Sequence, residues 1–220
     1  MTPRDLTDPF GERRMEFQLT LRKRGITDKA VLRAMDEVPR EQFVEAGFDE
    51  AAYSDQALPI ACGQTISQPF VVAYMTQQLE LRPVHHVLEI GTGSGYQAAV
   101  LSRIARSVVS LERYRTLAEV ARARLKRLNY ENVEVLLADG LHGDAMRAPY
   151  DRIIVTAAAE NVPKELAAQL KEGGVMILPL GPHTGTQTLV RCRKQGEELV
   201  REDLIAVRFV PLLAGQAREL

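Results

Sequence analysis

The amino-acid sequence predicts an α/β fold: a mostly parallel sheet with an antiparallel edge, preceded by extra helices at the N-terminus. Three observations carry this expectation. From about residue 83 onward, short apolar runs alternate with longer segments of helical period, the pattern of stacked βαβ units. One of those runs opens into three closely spaced glycines, Gly91, Gly93 and Gly95, as a strand does when it turns into a helix. The last two apolar runs flank the turn-prone pair Gln195-Gly196, which points to an antiparallel edge.

Taken in order, residues 8–44 read as two or three short helices. Leu19 and Leu21 precede Gly25, Thr27-Asp28 supplies a start signal, and Val31, Leu32, Met35 and Val38 follow at helical spacing up to Pro39. A short extended piece at 57–60 leads into a polar loop, and residues 70–81 read as a helix opened by proline in its first turn. The alternating region then gives strand 86–90, helix 95–104, strand 108–111, helix 114–128, strands 133–137 and 152–155, helix 163–170 and strand 174–178. Residues 188–192 and 204–210 complete the sheet. The chain reads as one domain, 1–220, with a helical and loop part (1–82), a βαβ core (83–180) and C-terminal antiparallel strands (181–220). The basic helix 113–127, with Glu119 interspersed, reads as a solvated face.

Composition narrows the partners. With 28 Lys plus Arg against 29 Asp plus Glu and a net charge of -1, the chain has no basic stripe for nucleic acid. Cys62 and Cys192 lie far apart without metal-ligand spacing, and the N-terminus lacks a secretory apolar run, so a reducing, cytoplasmic setting is expected. No apolar stretch approaches the roughly 20 residues that span a bilayer. His85, His86, His142 and His183 form no ligand cluster and read as surface or strand-end residues, so no metal is expected.

The sharpest local signal is Val87-Leu88-Glu89-Ile90-Gly91-Thr92-Gly93-Ser94-Gly95-Tyr96. Such a turn lets a nucleotide lie against the backbone ahead of a helix, although glycines also serve turns that bind nothing. The neighbouring charges discriminate. Glu89 stands two residues before Gly91, where a pyrophosphate would meet a like charge at a cost. S-adenosylmethionine instead brings a cationic reacting end, which suits an acid there, either by direct contact or through hydrogen bonds that hold the loop. Glu112, at the end of the next strand, sits near the roughly 20-residue spacing of a carboxylate that accepts both ribose hydroxyls. After the third strand, Asp139 can accept from the adenine amino group and Gly140 lets the base approach. Singly, each acid could be a cap or a solvated residue. Together they fall at consecutive strand ends, along the carboxyl edge where ligands bind.

Upstream, Ser67 precedes the helix that Pro69 opens. Its hydroxyl can cap that helix or donate to a bound anion, which the free N–H groups and dipole of a helix N-terminus also favour. Gln64 and Thr65 can add donors.

With these residues in view, the chain resembles the protein-L-isoaspartate O-methyltransferase family over nearly all of residues 53–212. The resemblance rests on Ala57-Leu58-Pro59-Ile60, Gly63-Gln64-Thr65-Ile66-Ser67-Gln68-Pro69, the glycine loop, Pro149-Tyr150-Asp151-Arg152-Ile153-Ile154-Val155-Thr156-Ala157-Ala158, Leu170-Lys171-Glu172-Gly173-Gly174 and Arg208-Phe209-Val210-Pro211-Leu212. The glycine loop is shared with class I methyltransferases in general, whereas the run from Gly63 to Pro69 is particular to this family. The resemblance implies a Rossmann-like class I methyltransferase fold with extra N-terminal helices, and S-adenosyl-L-methionine as donor with S-adenosyl-L-homocysteine as product. It implies the free carboxylate of L-isoaspartyl, and also D-aspartyl, residues in damaged proteins as acceptor, with repair as the outcome, and a monomeric cytosolic enzyme. Ser67 is the residue it names catalytic. It sets Val210 and Leu212 beside the substrate cleft, where residues 210–212 could otherwise be a mere sheet-edge ending. A carboxylate acceptor is already ionised at neutral pH, with a reference pKa near ~4, so this chemistry needs no general base.

Overall fold

The structure, a computed structural model, describes residues 10–217 and 219. Two helices open it, α1 (Gly11–Lys23) and α2 (Lys29–Glu37), followed by short 3-10 turns at Arg40–Phe43 and Asp49–Ala51. The helical expectation for residues 8 and 9 lies outside the described residues. Asp28 starts α2 as its sequence position predicts, its Oδ1 accepting from the amides of Ala30 and Val31 at 2.8 and 3.2 Å. A two-residue hairpin, β1 (Leu58–Pro59) and β2 (Thr65–Ile66), precedes α3 (Pro69–Gln78). The hairpin is not legible in the sequence as such: β2 holds only two residues and sits inside the polar run.

Then come β3 (His86–Ile90), α4 (Tyr96–Ser102), β4 (Ser107–Glu112), α5 (Arg115–Arg127), β5 (Val133–Leu137), β6 (Tyr150–Val155), α6 (Lys164–Ala168), β7 (Leu170–Leu180), β8 (Gln187–Gln195) and β9 (Glu198–Val207). They form one sheet in the order β5-β4-β3-β6-β7-β8-β9, parallel from β5 to β7 and antiparallel from β7 to β9. Alternate residues of each central strand feed opposite apolar layers, as strand geometry requires. Val87, Val108, Ile154 and Ile177 pack with the N-terminal helices, α4 and α5. Leu88, Val109, Ile153 and Met176 pack on the other face with Leu166 of α6. Every residue of α4 is buried, as expected of a helix wedged between the sheet and the N-terminal helices.

Three departures from expectation bear on the site. The helix at 163–170 shortens to α6 because Leu170 already pairs with Tyr150, so β7 starts four residues earlier than its apolar run. The last strand stops at Val207, and the chain beyond it turns back along the carboxyl edge, bridging Ala158 at Pro211 and Tyr114 at Ala217. Residues 113–127 are not all a solvated face. Arg122 donates to the carbonyl of Val135 at 2.8 Å, and Arg124 to that of Ser94 at 2.7 Å.

Removing the α2 cap tests this local reading. Asp28→Ala is expected to cost ~1 kcal/mol and to lower the thermal midpoint by about 2–4 °C, while Asp28→Asn, an equivalent cap, leaves it nearly unchanged. Calorimetry on the three proteins decides it.

Candidate active site

The strand order reverses at β3, which has β4 on one side and β6 on the other, and the crevice at such a reversal is where open α/β sheets bind ligands. A cavity of about 320 Å³ lies there. Its floor is the loop after β3. Gly91 has a φ of 95°, and a Cβ on it would stand 2.3 Å from Thr156 Oγ1, so only glycine fits. The Thr156 hydroxyl closes on this loop from the end of β6, 3.0 Å from the carbonyl oxygen of Ile90 and 2.8 Å from that of Gly91. Gly140, beyond β5, meets a similar constraint: a Cβ there would come within 2.4 Å of Ile90 Cγ2.

Glu112 ends β4 and lines the cavity while only 4% exposed. Its Oε2 accepts from the Gly93 amide at 2.9 Å and its Oε1 from the Tyr114 amide at 3.0 Å. Two oxygens offer about four acceptor positions, so a pair of hydroxyls can still be accepted. Thr92, Gly93 and Ser94 also line the cavity. Gly95 lies behind it as the N-cap of α4.

Glu89 and Asp139 are not among the residues that line the cavity. Glu89 is fully buried and is not part of the cavity wall. Its Oε2 accepts from the Ser110 hydroxyl, which lies 2.6 Å from that of Thr92, so the acid supports the loop from beneath through hydrogen bonds. Its Oε1 has no partner among the described residues. Burial pushes its pKa up to about 8, with the Glu112 charge adding to the rise and the Ser110 bond opposing it. Asp139 accepts from the amides of Leu141 at 3.0 Å and Gly215 at 2.6 Å. It thereby ties down the C-terminal strap, whose residues 210–213 form a further wall of the cavity. Arg113 adds to that tie by donating to the carbonyls of Ala214 and Gly215 at 3.3 and 3.2 Å.

The opposite wall is the segment 63–67, with Gln64, Thr65 and Ser67 all on the cavity. It follows a turn in which Cys62 and Gly63 both have left-handed backbone, φ 56° and 61°, closed by the Gln64 amide on the Ala61 carbonyl at 3.2 Å. Ser67 does not cap α3. The N-cap is Gln68, without a side-chain bond, and the cap comes from afar: Asp55 Oδ1 accepts from the Phe70 amide at 2.9 Å. The free helix amides expected to serve an anion are therefore taken, since those of Val71 and Val72 turn back to the Gln68 carbonyl at 3.0 and 3.3 Å. The Ser67 hydroxyl itself has no partner among the described residues, and its carbonyl accepts from Arg40 at 2.8 Å. Val210 and Leu212 are on the cavity, but the Val210 carbonyl and the Leu212 amide pair with Ala158, each at 2.8 Å, so these groups are not free for a peptide.

Sequence reasoning passes over Thr156, Tyr96, Arg113 and Arg40. Thr156 stands within one of the family motifs and follows the fourth parallel strand, so the rule that finds Glu112 and Asp139 could also find it. Arg40 carries no signal, because its partners are carbonyls distant in the chain. Of the histidines, His85 sits at a strand end, directly before β3, and is buried, its Nδ1 accepting from the Arg82 amide at 3.1 Å. No group of three or more His, Cys, Asp or Glu side chains among the described residues could hold a metal, and no described helix is long and apolar enough to cross a membrane.

The buried acid makes stability pH-dependent. Glu89 titrates near 4.5 in an ordinary setting and near 8 here, so between those values the folded protein keeps a proton that the unfolded chain releases. Stability falls as pH rises through that window, by at most about 1.4 kcal/mol for each pH unit crossed, and levels off above it. Glu89→Gln should abolish this component: urea midpoints of wild type and variant are expected to diverge between about pH 5 and about pH 8, with the wild type losing ground. Parallel curves would contradict it.

The sequence profile described as protein-L-isoaspartate(D-aspartate) O-methyltransferase matches residues 12–217. A protein-L-isoaspartate O-methyltransferase of Rhodopseudomonas palustris (strain BisB18) is 63% identical over 207 residues, 94% of this chain and 96% of its own length. One of Nitrobacter winogradskyi is 58% identical over all 220 residues and the whole of both chains. Among solved structures, a protein-L-isoaspartate O-methyltransferase aligns with TM-score 0.83 and 34% identity over 90% of this chain, which spans 65% of that longer one. A β-aspartate methyltransferase of Plasmodium falciparum in complex with S-adenosyl-L-homocysteine aligns with TM-score 0.80 and 26% identity over 90% of this chain and 97% of its own. The glycine loop at the strand-order reversal, the polar segment 63–67 facing it and these likenesses agree: the chain has a Rossmann-like class I methyltransferase fold and belongs to the protein-L-isoaspartate(D-aspartate) O-methyltransferase family.

Proposed function

We propose that this chain is an S-adenosylmethionine-dependent carboxyl methyltransferase acting on the free carboxylate of L-isoaspartyl residues in damaged proteins and peptides, and so initiating their repair. D-aspartyl carboxylates are the further substrate that the family's description includes. The observation that carries the reading is the Ser67 hydroxyl, uncommitted among the described residues, on the wall of a cavity that also holds Glu112 and the loop after β3.

The cavity suits the donor. Glycine at 91 and 140 lets the backbone after β3 and β5 pack tightly on Thr156 and Ile90 at the edge of the cavity, and Glu112 retains acceptor capacity for a ribose diol. Gly91, Thr92, Gly93, Ser94, Glu112 and Gly140 would hold S-adenosylmethionine, with Gly95 shaping the turn. Glu89 would act from beneath through Ser110 and Thr92, and Asp139 through the strap it anchors. When bound, the donor supplies an electrophilic methyl group on a sulfonium.

The residues around it supply position. Ser67 would donate its hydroxyl hydrogen to the acceptor carboxylate, with the Gln64 amide and the Thr65 hydroxyl as further donors. Val210 and Leu212 would border the peptide with their side chains. The acceptor arrives ionised, so no proton has to be removed, and holding it in line is an effect that can supply on the order of 7–11 kcal/mol. A monomer in the cytoplasm completes the proposal, in keeping with free Cys62 and Cys192 in a reducing compartment.

An isoaspartyl peptide and its aspartyl twin, each offered with labelled S-adenosylmethionine, test the substrate: base-labile methyl label is expected in the first and not in the second. Equal labelling of both would remove the repair reading. Ser67→Ala should lose a hydrogen bond to a charged group, about 1.5–3 kcal/mol, and so lower turnover roughly 10- to 100-fold while adenosylhomocysteine affinity by calorimetry stays near wild type. A matched loss of both would reduce Ser67 to a structural role.

A further inference from the structure

Only two buried side-chain polar atoms among the described residues lack a partner, Glu89 Oε1 and Arg40 Nη1. Glu89 supports the donor loop; Arg40 lies behind the opposite wall. Arg40 follows Pro39, is 0% exposed, and forms no ion pair with any described carboxylate. Its Nε donates to the Ala52 carbonyl at 2.7 Å and its Nη2 to the Ser67 carbonyl at 2.8 Å. Its guanidinium lies over the Tyr96 ring, 4.7 Å from the centroid. Tyr96 is the first residue of α4, directly after Gly95, and lines the cavity.

A buried cation without a counter-ion is costly, and apolar residues of similar volume often replace such groups at no loss. What an apolar side chain cannot do is bind two carbonyls and hold a cation over a ring at once. The planar fork of arginine does this with little further loss of freedom, and lysine, a point charge on a flexible stem, cannot reproduce it.

The geometry points to Arg40 as a positioning residue of the methyl transfer, one that fixes the spacing between the acceptor wall at Ser67 and the donor loop at Tyr96. It touches neither reactant and acts through the Ser67 carbonyl and the Tyr96 ring. The inference rests on the assignment of Ser67 to the acceptor carboxylate. Arg152 provides an internal comparison. It is also buried and also donates to two carbonyls of a preceding segment, those of Leu79 and Glu80, but it stands on β6 away from the cavity.

The full-length protein is assayed with an isoaspartyl peptide and labelled S-adenosylmethionine as wild type, Arg40→Met, Arg40→Lys and Arg152→Met, with thermal midpoints and adenosylhomocysteine affinity measured on each. An inactive wild type removes the functional reading on which the inference stands. With an active wild type, Arg40→Met is expected to lower kcat about 100-fold, the loss a misplacement of about 1 Å can cause, with adenosylhomocysteine affinity within about threefold. Arg40→Lys, keeping the charge and one carbonyl bond, should recover roughly tenfold of that loss. Arg152→Met should lower the midpoint while kcat per folded molecule stays within about threefold. The inference is overturned if the Arg40 variants keep the kcat of Arg152→Met, or if kcat and adenosylhomocysteine affinity fall together. Should Arg40→Met fail to fold, Arg40→Lys decides alone: a tenfold lower kcat at unchanged affinity supports the inference, and an unchanged kcat overturns it.

Discussion

The carboxylate of Glu112 holds two backbone amides at once, and the shape of the site depends on that contact. A carboxylate this deeply buried is tolerable only when donors replace the water it has lost. The Gly93 and Tyr114 amides do so, one from the loop after β3 and one from the turn after β4. Acid and loop therefore specify each other: without the acid the Gly93 amide loses its partner, and without the amides the acid's oxygens lose theirs. On the far side of β3, the Thr156 hydroxyl completes the hold by closing on the Gly91 carbonyl. The loop is thus fastened from both neighbouring strands at the point where the strand order reverses.

The same arrangement recurs around the cavity, each wall being held by a polar side chain that does not itself face the ligand. Glu89 reaches the loop through Ser110 and Thr92, Arg124 takes the Ser94 carbonyl, Asp139 takes the Gly215 amide, and Arg40 takes the Ser67 carbonyl. In a low-dielectric interior such bonds are stronger than in water, and an unpaired atom beside them costs more. That the two orphaned atoms belong to Glu89 and Arg40, behind the two facing walls, locates where the fold gives up stability to keep the site in shape.

How legible this is from the sequence follows from how local each cause is. The parallel strands, the glycine loop and Glu112 are readable because apolar runs, glycine spacing and strand-end position are all local. The helix cap at Asp28 is readable for the same reason. The capping of α3 is not, because Asp55 reaches the Phe70 amide from outside the helix, which frees Ser67 from a duty its position suggests. Asp139 is placed by strand-end logic and found at that strand end, but its partner, Gly215, lies across the chain and no pattern announces it. The strap and Arg40 share this trait: their bonds join segments whose proximity only the tertiary fold creates.

Substrate choice is where these supports matter most. Among the cavity-lining residues the only charged side chains are Glu112 and Arg113, and both are engaged with backbone groups. The acceptor wall offers neutral donors, which would receive the carboxylate of an isoaspartyl or an aspartyl residue alike. The two differ by one methylene in the distance from main chain to carboxylate, and a methylene judged by pocket contact alone is worth only about 1–3 kcal/mol. Alignment with an electrophile takes it to the top of that range, because a misplacement of about 1 Å can cost a hundredfold in rate, about 2.7 kcal/mol. That gain exists only if neither wall can follow the misplaced carboxylate. In the proposed reaction, rigidity behind Ser67 and beneath Gly91 would therefore be the form that specificity takes in a site that needs no base and whose reactive group arrives with the donor.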